Sequence, residues 1–110
     1  MPFIDTKAID IKEPLPGWKA RYFNSKHMTF AYYEFAKGSS IHEHRHDTDE
    51  VWHVIEGKLE VTIGRTTKMA GPGFVGVVPP NVKHSVKAMT DGFAIVVDHP
   101  RRTTIAGMKI

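Results

Sequence analysis

From Met28 onward the chain is a succession of short apolar and aromatic runs cut by Gly, Pro and Asp, and no segment sustains a helical period over several turns. That rhythm is the mark of strands joined by tight turns. It predicts strands near 28–36, 41–46, 50–56, 58–63, 66–70, 74–79, 84–89 and 93–99. About eight short strands with close turn signals place the fold in the all-β class, as a sandwich or barrel. The run LEVTI alternates Leu59, Val61 and Ile63 with Glu60 and Thr62, as a strand with one face on a core should. FVGVV (74–78) and FAIVV (93–97) are apolar throughout and are expected to be covered on both faces, the second by a partner subunit. Gly64-Arg65 follows LEVTI as a Gly-first two-residue hairpin loop, and Gly57 offers the positive φ of a tight corner. Pro14 and Pro16 interrupt the N-terminal segment. The segment to about Gly17 is therefore read as extended with one short strand, residues 1–27 as an arm contributing to the barrel or a dimer, and 28–110 as the barrel domain.

Composition narrows the chemistry. A chain of 110 residues accommodates one domain, whose core would gain from pairing with a second copy, so a homodimer is expected. The absence of cysteine removes disulfides, thiolate metal sites and cysteine nucleophiles together, and any metal must be held by His and carboxylate. The formal charge is +3 with basic residues scattered and Arg101-Arg102 the longest run, so no nucleic-acid partner is expected; a small anion is still attracted. The N-terminus has early acidic residues and no signal-peptide pattern, and no stretch nears the roughly 18 apolar residues of a membrane span. A cytoplasmic protein with a small-molecule ligand or substrate, and no membrane partner, is the expectation.

The densest chemistry lies in HEHRHDTDE (42–50), which holds three of the seven histidines. On a strand, His42, His44 and His46 share one face, whereas on a helix residues two apart diverge. Asp47-Thr48-Asp49 then makes a polar bend, and Glu50 opens the next strand where it can turn back toward His44 and His46. Two imidazoles and a carboxylate on one wall suit a divalent transition metal with open positions. The competing reading is of solvated histidines at a strand end. His84, after Pro79-Pro80, is placed to add a ligand from elsewhere in the fold.

The spacing around these residues is distinctive. Gly38, His44, His46, Glu50 and Gly57 follow the pattern G-x5-H-x-H-x3-E-x6-G, and Gly73, Pro79 and His84 follow G-x5-P-x4-H. The first pattern resembles the first signature of the cupin superfamily and the second its second signature, with Asn81 where glycine is usual and Ala88 where asparagine is frequent. Asn tolerates positive φ, so the first departure is mild. The resemblance, over residues 28–99, implies a cupin-type jelly-roll β-barrel. It also implies one divalent transition metal per chain (Fe, Mn, Ni, Co or Zn) held by His44, His46, Glu50 and His84. For reaction it implies a metalloenzyme acting on a small oxygenated organic molecule, as dioxygenase, isomerase or lyase, or alternatively a non-catalytic module that binds a sugar or organic anion.

Around that set, Trp52 shares the parity of Glu50 and is expected to wall the pocket, while His53 faces away. His42 is expected at the pocket mouth. In some metal-dependent cupin lyases a tyrosine acts as base two residues after the ligand glutamate; Trp52 stands there and cannot. The ending GFAIVVDHPRR is similar to that of small cupins of pectin degradation, but the acidic residue of that group falls at Val96, with Asp98 the nearest carboxylate. Asp98 is therefore the candidate acid or base, against a surface pairing with Arg101. Tyr32 is the candidate pocket aromatic, with Tyr33 and Phe35 beside it in the same run.

Overall fold

The computed structural model describes residues 2–109. After a single 3-10 turn over Thr6–Ala8 the chain forms strands β1 (Lys12–Leu15), β2 (Trp18–Asn24), β3 (Thr29–Phe35), β4 (Ser40–His44), β5 (Asp49–Glu56), β6 (Leu59–Ile63), β7 (Thr66–Ala70), β8 (Val75–Val78), β9 (His84–Ala88) and β10 (Gly92–His99). A short hairpin of β11 (Thr104–Ile105) and β12 (Met108–Lys109) follows. The strands pair antiparallel in a six-stranded sheet, ordered β1-β2-β3-β10-β5-β8, and a four-stranded sheet, ordered β4-β9-β6-β7. The two sheets close a jelly-roll barrel over one apolar core.

Alternation decides what faces that core. Along β3, Thr29, Ala31, Tyr33 and Phe35 are buried; along β5, Glu50, Trp52 and Val54; along β10, Ala94, Val96 and Asp98. Leu59 and Val61 are buried on β6, as LEVTI required. The hairpin after it has Ile63 opposite Thr66 and Gly64 at φ 60, the expected two-residue loop. Gly57, at φ 80, has no room for a side chain, since a Cβ there would lie 2.3 Å from the Asp91 carbonyl oxygen.

Three expectations need correction. The segment to Gly17 does carry one short strand, β1, but no further strand is expected before residue 28, whereas β2 pairs with β3 from Trp18↔Phe35 to Asn24↔Thr29. Its Trp18 is fully buried, edge-on to both Tyr33 and Trp52, which themselves stack in parallel at 5.8 Å. Pro14 does not prevent this because β1 is an edge strand, where a missing N–H is tolerated. FVGVV is not covered on both faces: β8 is the other edge of the six-stranded sheet, and Phe74, Val75 and Val77 are about half exposed while Val78 is buried. Lastly, the strand expected over 41–46 ends at His44, with a register shift between Ile41 and His44. His46 therefore sits in a loop, and His42 is exposed while Ile41 points inward.

Candidate metal centre

Four elements meet at one end of the barrel. His44 ends β4 and lies in register opposite His84, which opens β9. Glu50 enters β5 opposite Asp98, near the end of β10. His46 is held beside them because the Asn81 N–H donates to its backbone carbonyl at 2.7 Å, joining the loop after β4 to the loop before β9. Asn81 does so at φ 65, the left-handed conformation that glycine would otherwise supply.

The three imidazoles each have one nitrogen occupied and one free. The His44 Nδ1–H donates to the His42 carbonyl at 2.8 Å and the His84 Nδ1–H to the Val82 carbonyl at 2.9 Å; a carbonyl can only accept, which assigns both tautomers. His46 Nδ1 lies 2.7 Å from Thr48 Oγ1, whose own hydrogen goes to Asp98 Oδ1 at 2.7 Å, so the hydroxyl accepts from the imidazole. All three Nε2 lone pairs are then available, and one ligating atom from each ring falls within 4.8 Å of the others. Glu50 lies against two of these rings, with Oε2 3.2 Å from His46 Nε2 and Oε1 3.4 Å from His84 Nε2, and groups with His46 and Asp98 as a further possible donor set. The Trp52 indole N–H donates to Glu50 Oε1 and fixes that carboxylate.

A metal fits these residues. Adjacent donors with bonds of about 2.1 Å stand about 3 Å apart, close to the spacings across Glu50. His46 Nε2 and His84 Nε2 are also buried without a hydrogen-bond partner, a costly condition that a cation relieves.

The electrostatics are those of a shared buried charge. Burial works to raise the Glu50 pKa, but in their protonated forms His46, His84 and Asp98 donate to it and together hold the carboxyl well below its ordinary range. Asp98 moves the opposite way, to about 8, because it is buried and faces the Glu50 charge. Burial lowers His44; for His84 burial is also the largest single effect, but in the protonated ring hydrogen bonds to Glu50 and to the Val82 carbonyl, with the Glu50 charge, together exceed it and the net shift is upward. Arg102 reaches in from beyond β10, with Nη1 3.6 Å from Glu50 Oε2 and 3.9 Å from Asp98 Oδ2.

Part of this cluster opens on a cavity of about 230 Å³ whose wall includes His44, Glu50, Trp52, Asp98, Arg102 and Tyr33, with His46 and His84 set behind it. Trp52 lines the cavity without filling it. Its rim is made by His42 and by both terminal segments, through Leu15 and Ile105. Tyr32 is not in this wall. It lies on the outer face of β3 against Phe23 and Phe93, one residue out of phase with Tyr33. Asp98 is buried, and its cationic neighbour is Arg102 rather than Arg101. His53 has the outward parity expected of it. Sequence reasoning missed Thr48, which looked like part of a polar bend, and Arg102, whose signal was its i+4 spacing from Asp98.

An antiparallel double-sheet barrel with a His/Glu cluster at its mouth defines a class of small β-barrel proteins able to hold a divalent metal. The cupin domain family (Cupin_2) matches residues 31–100, and the chain belongs to that family. An uncharacterized protein of Streptomyces coelicolor is 25% identical over 81 residues, 74% of this chain and 77% of that protein. The crystal structure of an RmlC-like cupin from Shewanella frigidimarina superposes with a TM-score of 0.87 at 25% identity, covering 93% of each chain. KdgF from Halomonas sp. superposes with a TM-score of 0.86 at 23% identity, covering 93% of this chain and 96% of its own, a likeness of fold.

Proposed function

We propose that this protein is a metal-dependent enzyme that rearranges a small oxygenated organic anion by proton transfer, of isomerase or lyase type. The observation that carries the reading is a set of three imidazoles close enough to share one ion, with Glu50 against two of them, beside a cavity whose wall also contains a buried carboxyl and a guanidinium. A bound divalent metal supplies Lewis acidity toward a carbonyl or hydroxyl oxygen. Arg102 orients an anionic substituent, since its fork matches a carboxylate and few other groups in the cavity wall are cationic. Asp98, beside the same space, takes up or returns a proton. At about 230 Å³ the cavity is below the roughly 300–1,000 Å³ of drug-sized sites, which favours a small molecule over a polymer. A homodimer belongs to the same proposal and is supported by the bare apolar edge at β8.

Elemental analysis of untagged protein tests the metal directly. Near one equivalent of a transition metal is expected, and less than about a tenth, even after anaerobic purification, would overturn it. His46→Ala should lower metal content and activity together. For the reaction class, metal-loaded protein is incubated in D2O with a panel of small hydroxy acids, keto acids and uronic acids, with and without oxygen. Oxygen-independent exchange or rearrangement, followed by NMR, is expected. Turnover that requires oxygen would replace the proposal with an oxygenase, and binding without turnover would replace it with a binding module.

A further inference from the structure

His44 and His84 are steadied by backbone: each Nδ1–H is held by a carbonyl two residues earlier in its own chain segment. His46 has no such support. It lies past the end of β4, and what holds its ring is a side chain, the Thr48 hydroxyl. Thr48 is the buried member of the Asp47-Thr48-Asp49 bend, at 5% exposure, while both flanking aspartates are exposed. A buried hydroxyl is costly unless bonded, and here its donor and acceptor capacities are both used, toward Asp98 Oδ1 and His46 Nδ1. Asp98 in turn is fixed on β10, in register with Glu50.

We propose that Thr48 and Asp98 form a hydrogen-bond relay that sets the tautomer and ring orientation of His46, making Thr48 a positioning residue of the metal centre. The relay has a definite competitor. With Glu50 Oε2 only 3.2 Å from His46 Nε2, a ring protonated at Nε2 would donate to Glu50 and direct a hydrogen, not a lone pair, at the metal position. Asp98 shares any proton it keeps with Glu50, which leaves Oδ1 to take the single hydrogen of Thr48; Thr48 can then only accept from His46, and this places the imidazole proton on Nδ1. Removing the hydroxyl releases the ring to the competing state. Ligands of the second sphere that orient a metal-bound histidine are commonly worth about 10–100-fold in metal affinity.

The inference rests on the metal reading of the site, so its first test does not involve metal. Long-range 1H–15N correlation spectra of chelator-stripped, 15N-labelled protein report which imidazole nitrogen carries the proton. Wild-type His46 is expected with its proton on Nδ1; a proton on Nε2 would overturn the proposal, whatever the metal content. Thr48→Val keeps the shape and removes the hydroxyl. It should move His46 toward Nε2 protonation, leave His44 and His84 unchanged, and weaken Co(II) or Zn(II) affinity by about 10–100-fold, with Thr48→Ser restoring both. An unchanged His46 tautomer and unchanged affinity in Thr48→Val would reject the relay. Should that variant not fold, the wild-type tautomer decides the question.

Discussion

Glu50 and Asp98 are register partners on adjacent strands, so the alternation that points one carboxyl into the barrel points the other at it. Their pKa values separate for that reason: Glu50 falls well below its ordinary 4.5, while Asp98 rises from 3.8 to about 8. The folded protein thus keeps a proton on Asp98 that the unfolded chain has lost, and this contribution to stability is full in acid and is lost as pH rises toward about 8. His84, also shifted upward, adds in the same direction above its ordinary 6.5. Glu50 acts oppositely, but only as pH falls below its ordinary 4.5. Metal-free protein should therefore unfold at lower urea near pH 8 than at about pH 5.5, and Asp98→Asn should remove much of that decline. Stability that rises over this interval would refute the shared-proton account. At this scale the sequence brought forward His44, His46, Glu50 and His84 as candidates through motif spacing that resembles the family's, and the fold places them together at one end of the barrel. The sequence hid Thr48, Arg102 and the choice of Tyr33 over Tyr32, since those depend on cross-strand register and on parity within an aromatic run.

Strands and loops had the same mixed legibility. LEVTI and its Gly64 hairpin were readable because alternation and turn chemistry are local, and β2 was not, because two prolines masked a strand that exists through pairing with β3. The end of β4 was obscured by the register shift after Ile41, which no single-strand parity argument can foresee. What that shift leaves is a candidate ligand, His46, on a loop that depends on Asn81 for its backbone anchor. The Asn81 side chain is exposed, so its value lies in adopting φ 65 rather than in packing. Asn81→Gly should be nearly neutral, whereas Asn81→Val, forced into a left-handed conformation, should cost about 1–2 kcal/mol. Metal affinity should fall with Asn81→Val and not with Asn81→Gly, as calorimetric titration of each variant would report. Equal affinities would mean that the anchor does not position His46.

Across the whole molecule the two ends of the barrel are treated differently. One end holds the His/Glu cluster, covered by the N-terminal strands and the β11–β12 hairpin through residues such as Leu15 and Ile105. Along one side, β8 is left as the edge of the six-stranded sheet, with Phe74, Val75 and Val77 each about half exposed and no charged residue in Val75–Val78. A second cavity, of about 300 Å³, opens beside it, lined by β8, Val61, Ile63 and Lys68. Edge strands that stay in water are normally guarded by charge, proline or a bulge, and β8 has none of these. A second copy is a fitting cover, because an isologous contact places this uncharged strand against itself and needs no complementary surface elsewhere. The protein should therefore run as a dimer by light scattering at micromolar concentration, and Val75→Lys with Val77→Lys should shift it to monomer. Since neither side chain approaches the ligand cluster, the monomeric variant should retain its metal. A wild-type monomer, or a dimer indifferent to both lysines, would place the interface elsewhere and leave β8 protected by some other means.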